Sequence, residues 1–229
     1  MIDKKNILRL VVQGVGVVIS ILIAFGIDAW WDSRGEHRLE AEYVSSLRSE
    51  IRAALGEVAS DLESRRRLSD QLNLFFSNGP LPTDSLRVLL RSASGVSNIS
   101  PPSAVLDDLV SSGRLQLLRS AELREALMLY RQMLGKIEIN EDAHRHFVNE
   151  RFVPYLSDHV RLWGVTNRAA NDSRFIQPAS NADLDKLQRD PRFHNLLLER
   201  QRALQRGLSR VESTVEHLTR LKALLGDGS

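Results

Sequence analysis

Eighteen residues from Leu10 to Ile27 carry no charged side chain, and this run constrains the chain more than any other part of it. A helix rises about 1.5 Å per residue, so the wider stretch from Ile7 to Trp31, interrupted only by Arg9 and Asp28, covers the roughly 30 Å of hydrocarbon in a bilayer. The composition predicts a transmembrane helix over residues 10–31, with residues 1–9 on the cytoplasmic side. Lys4, Lys5 and Arg9 face only Asp3 before the run, whereas Asp28, Asp32 and Glu36 accompany Arg34 and Arg38 after it. That basic excess predicts an N-terminus held in the cytoplasm and an outer domain over residues 32–229. Arg9 is close enough to the end to extend to the headgroups, and Trp30 and Trp31 stand where indoles prefer the interface. Lys4, Lys5, Arg9, Trp30 and Trp31 are therefore the expected membrane-interface anchors.

A cleaved signal peptide is the competing reading, because Ala24-Phe25-Gly26 approximates a small-x-small cleavage pattern. Against it, apolar and aromatic character continues through Ile27, Ala29, Trp30 and Trp31. Within the run, Gln13, Gly16, Ser20 and Ala24 recur three or four residues apart, the spacing that lets two helix backbones approach. They are candidates for a span-span contact, with a second copy or with another envelope protein.

Residues 32–229 suffice for one domain with its own core. The chain has 31 basic and 29 acidic residues, a balance that gives no nucleic-acid footprint. It has no cysteine, which excludes disulfides, thiolate metal sites and cysteine nucleophiles.

Beyond Trp31 the apolar pattern is helical throughout. Leu39, Tyr43, Leu47, Ile51, Leu55, Val58 and Leu62 form a stripe that Leu68, Leu72, Phe75 and Phe76 resume after the cluster Arg65 to Arg67. Nothing stronger than Ser33 and Gly35 separates this stripe from the span, so one helix is expected to run through both until Asn78-Gly79-Pro80. Thr83 or Asp84 opens a short helix through Leu90, Pro101-Pro102 precede another, and Gly113 stops it. Ser120 is the expected cap of a long helix bearing Leu123, Leu127, Tyr130 and Ile137, which Pro154 should kink or end. A polar loop is expected from Asn167 to Pro178. Ser180 and Asp183 form a capping box, and Asp190-Pro191 opens the last helix. There Leu197, Leu204, Val211, Leu218 and Leu225 fall seven apart, with Leu208 and Val215 as the expected second seam and Gln201 and Lys222 as its exceptions. No alternation of β-branched residues appears, so the fold class is all-α: a single N-terminal transmembrane helix continuing into an elongated antiparallel helical bundle.

Two stretches carry a family resemblance. Ile21-Leu22-Ile23-Ala24, with Trp30-Trp31 just after it, and Leu106-Asp107-Asp108-Leu109-Val110-Ser111-Ser112-Gly113-Arg114-Leu115, with Leu123-Arg124 and Tyr130 beyond, resemble an uncharacterised bacterial family of single-span membrane proteins. The chain departs from it at Phe25-Gly26 and Asp28-Ala29, where amide side chains are usual. The resemblance implies a helical outer domain and no known activity.

Candidate chemistry is sparse. Glu141 and His144 have the Glu-x-x-His spacing of di-iron bundles, which need a second copy and two further carboxylates. Asp142, His146 and Glu150 share one helix face that could bind a divalent cation, but charged residues at that spacing are more often a solvated surface. The Arg65-Arg66-Arg67 cluster and the pair Arg200 and Arg202 could meet anionic lipid or an acidic partner, but neighbouring acids favour solvated surface. Ser111-Ser112-Gly113 lacks the Gly-x-Ser-x-Gly context of a nucleophile turn. The expected protein is therefore a non-catalytic interaction or scaffold protein of the cytoplasmic membrane, with lipid, itself or another envelope protein as partner and no cofactor. A ligand-binding or sensory module acting through a partner membrane protein is the alternative.

Overall fold

The computed structural model describes residues 4–96, 99–161 and 180–226; the side chains of residues 4–21, 28, 29 and 32 lie outside the described set. Seven α-helices and no strand are present among the described residues: α1 (Lys4–Asn78), α2 (Thr83–Ser94), α3 (Ala104–Ser111), α4 (Ala121–Phe147), α5 (Val153–His159), α6 (Asn181–Arg189) and α7 (Pro191–Leu225). A 3₁₀ turn at Arg114–Leu117 leads into α4, and a π turn at Val148–Phe152 joins α4 to α5.

Helix α1 is continuous over 75 residues, about 112 Å, so Ser33 and Gly35 do not break it. It ends where Gly79 adopts φ +76°, a left-handed conformation open to glycine at little cost. Neither Thr83 nor Asp84 caps α2 as expected, since its N-cap is Pro82 and makes no side-chain bond, but three other expected caps are in place. Ser120 Oγ accepts from Leu123 N–H at 3.1 Å, Ser180 Oγ accepts from Asp183 N–H at 3.2 Å, and Asp190 Oδ1 accepts from Arg192 N–H at 2.7 Å. Helix α2 runs four residues beyond the expected end, to Ser94, burying Ala93. The long helix expected to kink or end at Pro154 ends at Phe147, where a π turn over Val148–Phe152 takes over. That turn restarts the backbone ladder, so Pro154 falls in the first turn of α5, where its missing N–H costs nothing.

The bundle is built by the bundle half of α1, by α4 and by α7. Helix α7 runs antiparallel to α1: Arg48 donates to the carbonyls of Leu225 and Gly226 at 2.7 Å, Arg66 pairs with Glu212 at 2.8 Å, and Gln201 bonds Asn73. It is also antiparallel to α4, through Arg220 with Glu122 at 2.6 Å and His217 with the Ala126 carbonyl at 2.7 Å. Helices α1 and α4 are thus parallel, and α2 and α3 return the chain between them. Glu50 fixes that return by accepting from the N–H groups of Val105 at 2.7 Å and Leu106 at 3.1 Å, at the positive end of α3.

Apolar side chains collect into two cores along this axis. One joins Leu47, Ile51 and Val58 of α1 to Leu106, Leu127, Tyr130, Leu218 and Leu221. The other joins Leu68, Leu72 and Phe75 to Leu86, Leu90, Phe152, Phe193 and Leu197. The second seam of α7 is not the expected line of Gln201, Leu208, Val215 and Lys222. Phe193, Arg200, Gly207, Thr214 and Leu221 form it, all buried, while Leu208 and Val215 are only partly covered.

The membrane expectation meets the structure only in part. Among the described residues no helix is long and apolar enough to cross a membrane, and most of the expected span, with the side chains of Lys4, Lys5, Arg9, Gln13, Gly16 and Ser20, lies outside the described set. The expected loop from Asn167 to Pro178 also lies outside the described residues.

Candidate functional site

The seam of each long helix steps by three and four without interruption, and near mid-bundle the residues on it become polar. Helix α1 presents Val58, Asp61, Arg65, Leu68 and Leu72 in that rhythm, α4 and the π turn after it present Ile137, Glu141, His144 and Val148, and α7 presents Leu197, Arg200, Leu204, Gly207 and Val211. Packing three such seams together brings Asp61, Arg65, Glu141, His144 and Arg200 into one layer between the two apolar cores.

Arg65 is at the centre, only 5% exposed. Its Nε donates to Asp61 at 2.5 Å and its Nη2 donates to Glu141 across 76 residues of chain. Burial works against the Arg65 charge, but the Asp61 and Glu141 carboxylates outweigh it and hold its pKa above the ordinary value. Burial acts most strongly on Glu141 too and, despite Arg65, leaves its pKa raised. Glu141 Oε2 is buried and has no hydrogen-bond partner among the described residues. Gly207 makes room for the layer, since a Cβ there would lie 3.1 Å from Arg65 Nη1 and 3.2 Å from Asn140 Nδ2.

Arg200 is 2% exposed and is held differently. Its Nε donates to the Ala93 carbonyl and its Nη2 to the Gly95 carbonyl, both at 3.1 Å, while Nη1 lies against the His144 ring. Among the described residues it pairs with no carboxylate. Burial, with Arg65 nearby, pulls its pKa down to about 9. Burial also pulls His144 down to about 3, helped by Arg200 and then Arg65, so the imidazole is neutral at ordinary pH.

This geometry settles what the sequence motifs are doing. Glu141 and His144 do reach the interior together, yet each faces a guanidinium rather than further carboxylates. Among the described residues no group of three or more histidine and acidic side chains converges as a metal site would require. Asp142, His146 and Glu150 are exposed, and Asp142 is bound by Arg145 at 3.0 Å. The two arginine clusters require correction. Arg66, Arg67 and Arg202 are exposed as expected, but Arg65 and Arg200 are interior. The hydroxyls of Ser111 and Ser112 bond to the Asp108 carbonyl at 3.3 and 2.6 Å, and Gly113 at φ +71° ends α3.

Two clefts flank the layer. One, of about 430 Å³, is lined by Asp61, Ser64, Arg65, Arg67, His144 and Arg200; the other, of about 540 Å³, by Asp107, Arg131, Glu138, Glu141, Asp142 and Arg145.

A second feature lies far from this layer on α1. Leu22, Ile23, Phe25 and Ile27 are 51–67% exposed, Ala24 is exposed, and Trp30 and Trp31 stand 53% and 61% exposed with their rings edge to face at 5.3 Å. Arg34 lies over the Trp30 ring at 5.3 Å. Bundle contacts begin only beyond this stretch, where Arg119 meets His37 and Glu40.

In comparison with known proteins, no family model matches the chain, and no curated protein or solved structure is significantly similar to it.

Proposed function

We propose that the chain is a membrane-anchored interaction or scaffold protein of the bacterial envelope, held by a single span over residues 10–31 and presenting its helical bundle outside the cytoplasmic membrane. The observation that carries this reading is the exposed apolar band from Leu22 to Trp31 on a helix that passes unbroken into the bundle. Uncovered large apolar side chains in such density are unfavourable in water, and the uncharged sequence from Leu10 onward extends the same surface by three turns. Lys4, Lys5 and Arg9 would remain in the cytoplasm, and Trp30, Trp31 and Arg34 would lie at the opposite headgroups. Because α1 is one helix, the span would orient the bundle, and Gln13, Gly16, Ser20 and Ala24 would offer the contact with a second copy or another envelope protein. This is also the organisation implied by the family resemblance.

Reporter fusions at the two termini test the topology. The account expects cytoplasmic activity for a reporter before Met1 and external activity for one after Ser229. In-membrane crosslinking tests the interaction role, for which a strictly monomeric chain with no recovered partner is the contrary result. A ligand-binding role is favoured by one observation only, the cleft at Arg200.

A further inference from the structure

A buried guanidinium normally faces a carboxylate, because the desolvation of the charge must be offset locally. Arg65 obeys this rule twice over, through Asp61 and Glu141. Arg200 does not. Of its five N–H groups, three go to the Ala93 carbonyl, the Gly95 carbonyl and the His144 ring, so among the described residues two remain. Arg65 Nη1 likewise makes no hydrogen bond among the described residues. Both groups line the 430 Å³ cleft, where, among the described residues, Arg67 is the third cation and Asp61 the acid. Ser64 and Ser92 add hydroxyls, and Leu68 and Leu204 supply an apolar wall. Arg65 is compensated by Asp61 and Glu141, and Arg67 lies 3.6 Å from Glu63, so among the described lining residues the most deeply buried cation, Arg200, is the one without a carboxylate, and what it lacks is negative charge.

We propose that this cleft binds a small soluble molecule bearing a carboxylate or phosphate group, with the oxyanion seated on Arg200 and Arg65 and Arg67 at the rim. The planar donor fork of arginine matches either oxyanion. The depressed Arg200 pKa of about 9 agrees, because a bound anion offsets the charge that burial disfavours. Arg65 stands 34 residues beyond Trp31, about 50 Å along α1, so a headgroup phosphate of an anchoring bilayer is out of reach. The site depends on the bundle alone and not on the span, and membrane extraction has no part in its test.

The test is calorimetric titration of the full chain in detergent micelles with sodium succinate and with sodium phosphate, at ionic strength matched with sodium chloride. Saturable binding of at least one probe is expected, and which probe binds separates the carboxylate from the phosphate source. Arg200→Gln should weaken that binding about tenfold or more, the scale of one lost charge-assisted hydrogen bond. Arg67 is exposed, so Arg67→Glu should fold as the parent does and weaken binding about threefold or more through charge reversal at the rim. If Arg200→Gln fails to fold, Arg67→Glu alone decides. Absence of saturable binding for both probes, or binding unchanged in the variants, overturns the proposal.

Discussion

The same helix treats its side chains in opposite ways along its length. Between residues 22 and 31, α1 exposes Leu22, Ile23, Phe25, Trp30 and Trp31; between 47 and 75 it buries Leu47, Ile51, Leu72 and Phe75, and buries Arg65 with them. Composition alone does not distinguish these apolar residues. What differs is whether another part of the chain covers them, and for the N-terminal stretch nothing described does. An apolar surface left uncovered by its own chain calls for a covering from outside. The buried arginine teaches the complementary lesson. Arg65 is held in this core by Asp61 on its own helix and by Glu141 from α4.

The largest expected effect tests that second lesson. Glu141→Ala leaves Arg65 with one carboxylate inside the bundle and should cost about 3 kcal/mol, the scale found when one partner of a buried ion pair is removed. Replacing Asp61, Arg65 and Glu141 together by Leu, Met and Leu should recover stability to within about 1 kcal/mol of the parent, since none of the three is then left as an unpaired charge. Urea unfolding of the full chain in detergent measures both. A triple variant as damaged as the single one would show that the layer is held by something other than its ion pairs.

Next in size is a charge placed near the middle of the apolar stretch. Leu22→Arg should oppose insertion by about 2.5–3.5 kcal/mol and lower the membrane-bound fraction on cell fractionation. The equivalent change at exposed Leu74 of the bundle should leave the fraction unchanged.

The pH dependence is subtler. His144 is neutral in the fold down to about pH 3, whereas the unfolded chain takes up a proton below about 6.5. Between those values the unfolded state binds more protons, so this group's contribution is fully present above 6.5 and is lost progressively as the pH falls towards 3. Arg65 and Arg200 oppose its protonation, and the raised pKa of Glu141 acts in the opposite direction at the acid end. His144→Asn should flatten the slope of melting temperature against pH between 6.5 and 5. The smallest effect is at a cap: Asp190→Ala removes the acceptor for Arg192 N–H and for the Tyr155 hydroxyl, costing about 1 kcal/mol by urea unfolding.

Much of this fold is legible in the sequence because its signals are local. Ser120, Ser180 and Asp190-Pro191 cap helices by reaching two or three residues along the chain, and Gly79, Gly113 and Gly226 stop them through their own backbone angles. The polar layer was hidden because its signal is not local. A seam is recognised by apolarity, so Arg200, Gly207 and Thr214 disguised the second seam of α7, and the cluster Arg65 to Arg67 read as an interruption. What makes Arg65 tolerable inside is Glu141, 76 residues away, and no local pattern announces that pairing. The one available clue was rhythm. The three-four spacing passes through Arg65, Glu141, His144 and Arg200 without a break, which a solvated face has no reason to maintain.

The central claim is that residues 10–31 lie in lipid. Washing isolated membranes with alkaline carbonate strips proteins held only by surface contacts and leaves those with an embedded span. The account predicts that the full chain stays in the pellet, and that a chain lacking residues 1–31 does not. Release of the full chain into the supernatant would contradict it.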